Sequence, residues 1–390
     1  MNAVIITDNA LNMRHGTGAQ NLRTFIGSGI DFVHFYIHGD FAPSDYERSF
    51  LMKDSETHRG SSKFGRFTER LSYRAGFRWS VSNAPVLSRR KFQRTLHDLQ
   101  FKPDVAYIIA SSESAALLIS GLLLHLNLPY VVHIMDIAEE NGLIPGEMRG
   151  FTRLLQGAHS VLCITPNIQD EVRKFGIEKT SLVLIGQEPG EYETLPPDSG
   201  GPVRVIMVGN PYRAGMELLS RSLDEIRGLG FPVELSYMGA AYERLPEALK
   251  PSVHNLGLVD NDSYQRNIVR SHIAYLCGPS THDNAARFAF PSRTSDYLMA
   301  GLPVLACVVP GSATERILSP LSPESVRFVH TTEDITAGIQ DFAQKSRWQT
   351  ASRKARQFAL AEMHLTEVRK KILAKLIEAK VASRQANITA

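Results

Sequence analysis

Short runs of β-branched and other apolar residues, each followed by an amphipathic stretch, recur along almost all of this 390-residue chain. That alternation is the strongest constraint on the fold. A strand buried on both faces reads as a continuous apolar run, and an amphipathic helix after it returns the chain for parallel pairing. The rhythm breaks once, at residues 188–202 (EPGEYETLPPDSGGP), where four prolines and three glycines fall within fifteen positions. Such a run packs as neither helix nor sheet, so it predicts a linker between two α/β halves.

Before the break, strands are expected at residues 4–7, 32–37, 105–110, 130–135, 160–165 and 182–185, with helices from Ala19, over 112–126 and from Pro166. After it, strands are expected at 203–208, 233–238, 272–277, 303–308 and 326–329, with a helix over 215–227. The tail over 352–380 predicts one long amphipathic helix, with Phe358, Leu365, Val368, Ile372 and Leu376 near one stripe. The domains expected are 1–190, carrying a basic, mostly helical insert at about 41–102, then 200–365, then a terminal helix over 366–390 that returns toward the first domain. A chain of this length exceeds one ordinary core, and 43% apolar with 21% charged residues places it among globular proteins.

Cys163, Cys277 and Cys307 each sit in or at the end of an apolar run, without CxxC spacing. They are expected to be buried thiols in a reducing compartment, neither a disulfide framework nor a zinc site. The start, MNAVIITD, runs straight into a strand, and the most apolar stretch, 115–124, is too short to span a bilayer. The expectation is a cytoplasmic protein. Charge is uneven: thirteen basic residues face six acids between Phe41 and Lys102, a local excess of seven in a chain of net charge +3. Two readings stand open, a solvated helical face and a surface for anionic lipid or a phosphorylated acceptor at the inner face of the membrane. No nucleic-acid motif accompanies the charge.

The most informative stretch is residues 290–306, FPSRTSDYLMAGLPVLA. Pro291 and Ser292 predict a helix start, Gly301 its stop, and Pro303 the entry to a buried strand. A helix opening at a binding crevice offers backbone N–H groups and a positive dipole end to a diphosphate. Arg293 in the first turn opposes that dipole and so predicts an anion nearby. Asp296, one turn on, can accept two hydrogen bonds from a ribose diol.

In these residues the chain resembles the GT-B glycosyltransferases, specifically the large retaining family four. Their donor-site signature runs Pro-Ser-(Lys/Arg), two residues, an acid, an aromatic, then Ala-Gly-x-Pro-Val. It is matched here by Pro291, Ser292, Arg293, Asp296, Tyr297, Ala300, Gly301, Pro303 and Val304. The resemblance implies two Rossmann-like α/β domains facing across an interdomain cleft, a nucleotide-sugar co-substrate, UDP- or GDP-linked, and no cofactor or metal. It assigns the ribose to Asp296. A second acid, eight residues earlier in many members, is Phe288 here, and Asp283 is the substitute. Gly209, Asn210, Arg213 and Gly215 resemble the family's diphosphate-gripping loop; Asn210 replaces the usual arginine, leaving Arg213, with Arg287, to take more of the charge. Met238-Gly239 and Leu258-Val259 resemble the loops that hold the base through the backbone. His15-Gly16-Thr17-Gly18 resembles the glycine loop beneath the donor phosphate. As a dinucleotide fingerprint it lacks the third glycine, since Asn21 stands there, and the loop from Thr7 is too long for that turn.

Asp136, at a strand's carboxyl end, is expected either to act on the acceptor or transition state or to cap a helix. Ser111, Ser112 and Glu113 are further acceptor-side residues. The expected function is transfer of a hexose-type sugar from a nucleotide-diphosphate sugar to a sugar, lipid-linked or other small acceptor, with retention implied by the resemblance, in polysaccharide or glycoconjugate biosynthesis. Arg213, Arg293 and the helix at Ser292 stabilise the departing diphosphate. The rivals are a nucleotide-sugar epimerase or hydrolase on the same fold, a non-catalytic GT-B module, and lastly a nicotinamide dehydrogenase.

Overall fold

The computed structural model describes residues 1–9, 24–38, 48–51, 92–123, 127–137, 142–190, 194–198, 200–278 and 284–389. The chain divides into two compact units. The first is Met1–Ile164, Ile168–Val183 and Arg369–Ala390; the second is Thr165–Asn167 and Leu184–Val368.

Among the described residues the first unit holds seven parallel strands: β1 (Asn2–Asn9), β2 (Asp31–His38), β3 (Ser49–Leu51), β4 (Val105–Ile109), β5 (Tyr130–Ile134), β6 (Ser160–Cys163) and β7 (Thr180–Leu182). Their spatial order is β3-β2-β1-β4-β5-β6-β7. The central strand β4 is buried at all five positions, which is why its sequence, VAYII, is an unbroken apolar run. Helices α1 (Glu113–Leu123), α2 (Arg149–Gly157) and α3 (Pro166–Arg173) supply crossovers. Two histidines inside this sheet bond across strands. His34 lies between the Thr7 and Ser49 hydroxyls at 2.8 Å each, and the Tyr107 hydroxyl meets His133 Nδ1 at 2.5 Å.

The second unit repeats the plan with β8 (Val203–Val208), β9 (Val233–Met238), β10 (Val253–Gly257), β11 (Ile273–Cys277), β12 (Val304–Cys307) and β13 (Val326–Phe328). All are parallel, in the order β10-β9-β8-β11-β12-β13. Its helices are α4 (Arg213–Arg221), α5 (Leu223–Arg227), α6 (Asn261–Arg270), α7 (Asn284–Phe288), α8 (Arg293–Ala300), α9 (Ala313–Leu318), α10 (Thr332–Ala343), α11 (Lys345–Glu362) and the start of α12 (Leu365–Thr389).

Several expectations need correction. The predicted helix over 215–227 is two, because the Ser222 hydroxyl donates to the Leu219 carbonyl at 2.9 Å and the backbone there flattens to ψ 0°. The tail is two helices, α11 and α12. Gln187 bonds in from both sides, its N–H to the Met363 carbonyl and its carbonyl to the Leu365 N–H, opening the ladder at 363–364. The described start of the basic insert is the strand β3, while residues 92–98 are helical; residues 52–91 lie outside the described residues. β10 was missed because an edge strand half open to water reads VHNLG, with no apolar run.

Candidate functional site

In a doubly wound sheet the binding crevice lies outside the carboxyl ends of the strands, where the strand order reverses. In the second unit that point falls between β8 and β11, and two predicted residues meet there. Gly209 follows β8 with φ +81°, a conformation that favours glycine. Arg293, the first residue of α8, extends its guanidinium across the same point. Its Nη2 donates to the Cys277 carbonyl at the end of β11 at 2.7 Å. A Cβ added to Gly209 would stand 2.7 Å from Arg293 Nη1, so the missing side chain is the space the guanidinium uses. The guanidinium carbon lies 5.9 Å from the Tyr212 ring centroid.

Arg293 is not fully satisfied. Its Nε is buried and has no partner, as are the hydroxyls of Thr294 and Ser295 in the same turn. Buried polar atoms are nearly always bonded, so these open groups, with the Tyr297 hydroxyl one turn on, are exceptions that packing does not explain. Ser292 itself is helical (φ −56°, ψ −33°) and its side chain makes no capping bond. The turn is tightened instead by Thr294 N–H to Pro291 and Ser295 N–H to Ser292. At the other end Gly301 closes α8 in the left-handed region, as predicted.

One turn into α8, Asp296 is half-buried, and its Oδ2 accepts the Tyr264 hydroxyl from α6 at 2.7 Å. It borders a small, open hollow that Gln187, Glu188 and Gln265 also line.

The loops after β8, β9 and β10 are stitched together. Gly209 N–H bonds the Met238 carbonyl and Gly239 N–H bonds the Gly257 carbonyl, both at 2.9 Å. The Tyr237 hydroxyl donates to the Gly209 carbonyl at 2.7 Å and accepts from Ala241 N–H at 3.2 Å. Gly239 is needed because a Cβ there would sit 2.6 Å from that hydroxyl. Met238 is buried and Val259 half-buried, while Leu258 beside them is 74% exposed. Asp260 is spent on Ser263, capping α6. Asn210 is exposed beside Gly209.

Arg213 opens α4 with its side chain 91% exposed and its Nε on Glu217 at 2.6 Å. Gly215 is required there, since a Cβ would collide with the Cys277 thiol. Arg287 lies 4.8 Å over the ring of Phe288, which is buried. Among the described residues no three His, Cys, Asp or Glu side chains converge where a metal could be held. No described helix is long and apolar enough to cross a membrane.

In the first unit the order reverses between β1 and β4. Gly16, Thr17 and Gly18, after β1, lie outside the described residues, as does Asp283. Asp136 lies just past β5, exposed, with its Oδ1 accepting Ile137 N–H at 2.9 Å. Crowding by the protein raises its carboxyl above the usual range, and that N–H bond works against the rise. It caps no helix. Glu113, named for the acceptor side, is employed otherwise: its oxygens accept Gly150 and Phe151 N–H at 2.7 and 3.0 Å, capping α2. Tyr212, Tyr237 and Tyr264 were missed. A tyrosine facing a loop or a neighbouring helix carries no local motif, since its partner is 28 or 32 residues away.

Solved structures share this architecture over nearly the whole chain. HepE from Anabaena, solved with UDP and glucose, matches with a TM-score of 0.65 at 14% identity, covering 96% of this chain and 99% of that one. Sucrose-phosphate synthase from Thermosynechococcus elongatus matches at 0.64 and 12% identity, covering 100% of both chains. A glycosyltransferase from Rickettsia africae matches at 0.64 and 10% identity, covering 97% and 98%. The fold is therefore the GT-B fold of glycosyltransferases. No protein-family model matches the chain, and no curated protein matches it in sequence.

Proposed function

We propose that the chain is a glycosyltransferase that moves a hexosyl group from a nucleotide-diphosphate sugar to an acceptor hydroxyl, with retention, in polysaccharide or glycoconjugate biosynthesis. The observation that carries this reading is Arg293 at the strand-order reversal of the second sheet, braced on the Cys277 carbonyl and seated against Gly209, with a buried Nε still open. A cation so fixed, beside a helix start, is preorganised for negative charge. When the sugar leaves, charge grows on the diphosphate, and Arg293 meets it without rearrangement. Arg213 would join by leaving Glu217, an easy exchange because an exposed i,i+4 pair is among the weakest ion pairs.

Asp296 takes the ribose, and Gly209, Asn210, Met238, Gly239 and Val259 line the path of the base and phosphates. The exposed Leu258 offers the base an apolar face. UDP is the favoured nucleotide, since HepE is similar in fold and was solved with UDP and with UDP-glucose. The raised carboxyl of Asp136 suits a group that exchanges a proton with an acceptor. This chemistry calls on no cofactor.

The test is a melting-temperature screen of UDP-, GDP- and other nucleotide sugars, followed by donor consumption with and without a panel of sugar and lipid-linked acceptors. The reading expects stabilisation by one donor, consumption that depends on acceptor, and loss of transfer in folded Arg293→Ala and Asp296→Ala. Turnover at the wild-type rate in both variants sinks it. Donor loss without acceptor would make the protein a hydrolase or epimerase.

A further inference from the structure

Asp296 is held by a group that the donor-site motif does not contain. Tyr264 stands one turn into α6, its ring packed against the buried cluster that includes Ile268, Tyr297 and Leu298. Its hydroxyl crosses to α8 and donates to Asp296 Oδ2 at 2.7 Å. The ring is placed by the core and by the start of α6, where Tyr264 N–H bonds the Asp260 carbonyl at 2.8 Å and Asp260 itself is locked on Ser263. The hydroxyl is therefore fixed independently of Asp296.

An ionised carboxylate only accepts, and an aspartate turns on two rotatable bonds. A fixed donor on one oxygen restrains both bonds and so helps to set where the carboxylate points. Burial, and after it the negative charge of Asp296, push the phenol well above its ordinary range, so the proton stays on Tyr264 and the hydroxyl donates to the carboxylate.

We infer that Tyr264 is a positioning residue of the donor site: its hydroxyl orients the Asp296 carboxylate to receive the ribose hydroxyls of a nucleoside diphosphate. The inference rests on the reading of Asp296 as the ribose acceptor and adds a second residue to it. Tyr264→Phe removes one oxygen and leaves the ring packing intact. Because the ribose lies away from the reacting carbon, the loss falls on ground-state and transition-state binding alike, so KM for the donor rises and kcat stays.

The experiment is titration calorimetry of the full chain with UDP and GDP and with their 2′,3′-dideoxy analogues, on wild type, Tyr264→Phe, Asp296→Asn and the double variant. Wild type should bind one nucleotide and prefer it to its dideoxy form. Tyr264→Phe should weaken the ribonucleotide about tenfold, leave the dideoxy analogue within twofold, and add nothing on the Asp296→Asn background. A purely structural tie between α6 and α8 would weaken both nucleotides together, and that result overturns the inference, as does unchanged binding of both. If wild type binds neither nucleotide, or does not distinguish ribose from dideoxyribose, the reading of Asp296 itself falls. Should Tyr264→Phe not fold, Tyr264→Met, which also lacks the hydroxyl, takes its place with the same two outcomes.

Discussion

Two glycines with the same backbone need separate the strain of a substitution from its effect on the site. Gly209 and Gly230 have φ of +81° and +77°, so alanine at either pays the left-handed cost of roughly 1–2 kcal/mol. Only at Gly209 is there an obstacle, Arg293 Nη1 at 2.7 Å, whereas the space around Gly230 is open. Gly209→Ala should therefore displace the guanidinium and weaken nucleotide binding at least tenfold, while Gly230→Ala lowers stability by a similar amount and leaves binding alone. Urea unfolding together with nucleotide titration checks the pair, and equal binding in both would unseat Arg293 from the site. His34 gives a pH-dependent counterpart. Burial lowers its pKa from 6.5 to about 3, so the folded chain holds it neutral between two hydroxyls while the unfolded chain takes up a proton below pH 6.5. The stability it contributes is present above pH 6.5 and is lost as pH falls toward 3, at up to about 1.4 kcal/mol per pH unit. His34→Gln should flatten that acid limb in unfolding curves taken between pH 7 and 4.

Elements were legible where a local signal matched a local cause. The Gly301 stop, the Pro303 strand entry and the apolar runs of β4, β6, β11 and β12 each announce themselves within a few residues. What failed to show depended on partners far along the chain. Gln187 breaks the tail at 363–364 from 176 positions away, and the amphipathic stripe continues through the break because α11 and α12 keep burying Ala359, Leu365 and Val368. The candidate site divides in the same way: Arg293 and Asp296 belong to one compact motif and Gly209 opens a second, while the tyrosines that brace them belong to neither. The helix α10 was also silent in sequence until its cap is seen. Thr331 accepts Asp334 N–H, and Asp334 accepts the N–H groups of His330 and Thr331, a complete capping box. Those bonds hold the Asp334 carboxyl below its usual range. Thr331→Ala should cost about 1 kcal/mol and leave nucleotide affinity unchanged, a result thermal unfolding and one titration can establish.

At the scale of the molecule, the chain's order and its units do not coincide. Residues 369–390 follow the second unit in sequence and belong to the first. Arg369 donates to the Thr24 and Ile26 carbonyls at 3.1 and 2.8 Å, closing the chain end before β2, and Lys380 pairs with Asp104 at 2.8 Å, ahead of β4. Ile372 and Leu376 are buried between these bonds. At roughly 1.5–3 kcal/mol for each such side chain, the two are worth several kcal/mol as an upper bound, a large share of the roughly 5–15 kcal/mol that holds a typical domain. Deleting residues 369–390 should therefore loosen the first sheet and spare the second, whose core is complete without them. Hydrogen exchange resolves this strand by strand: protection should fall in β1, β2 and β4 and persist in β8, β11 and β12. Nucleotide binding should survive the deletion, because Gly209, Arg293, Asp296 and Tyr264 all lie in the second unit. Equal loss of protection in both sheets would mean that the last helix supports the whole molecule, and the assignment of its residues to the first unit would not describe its energetics.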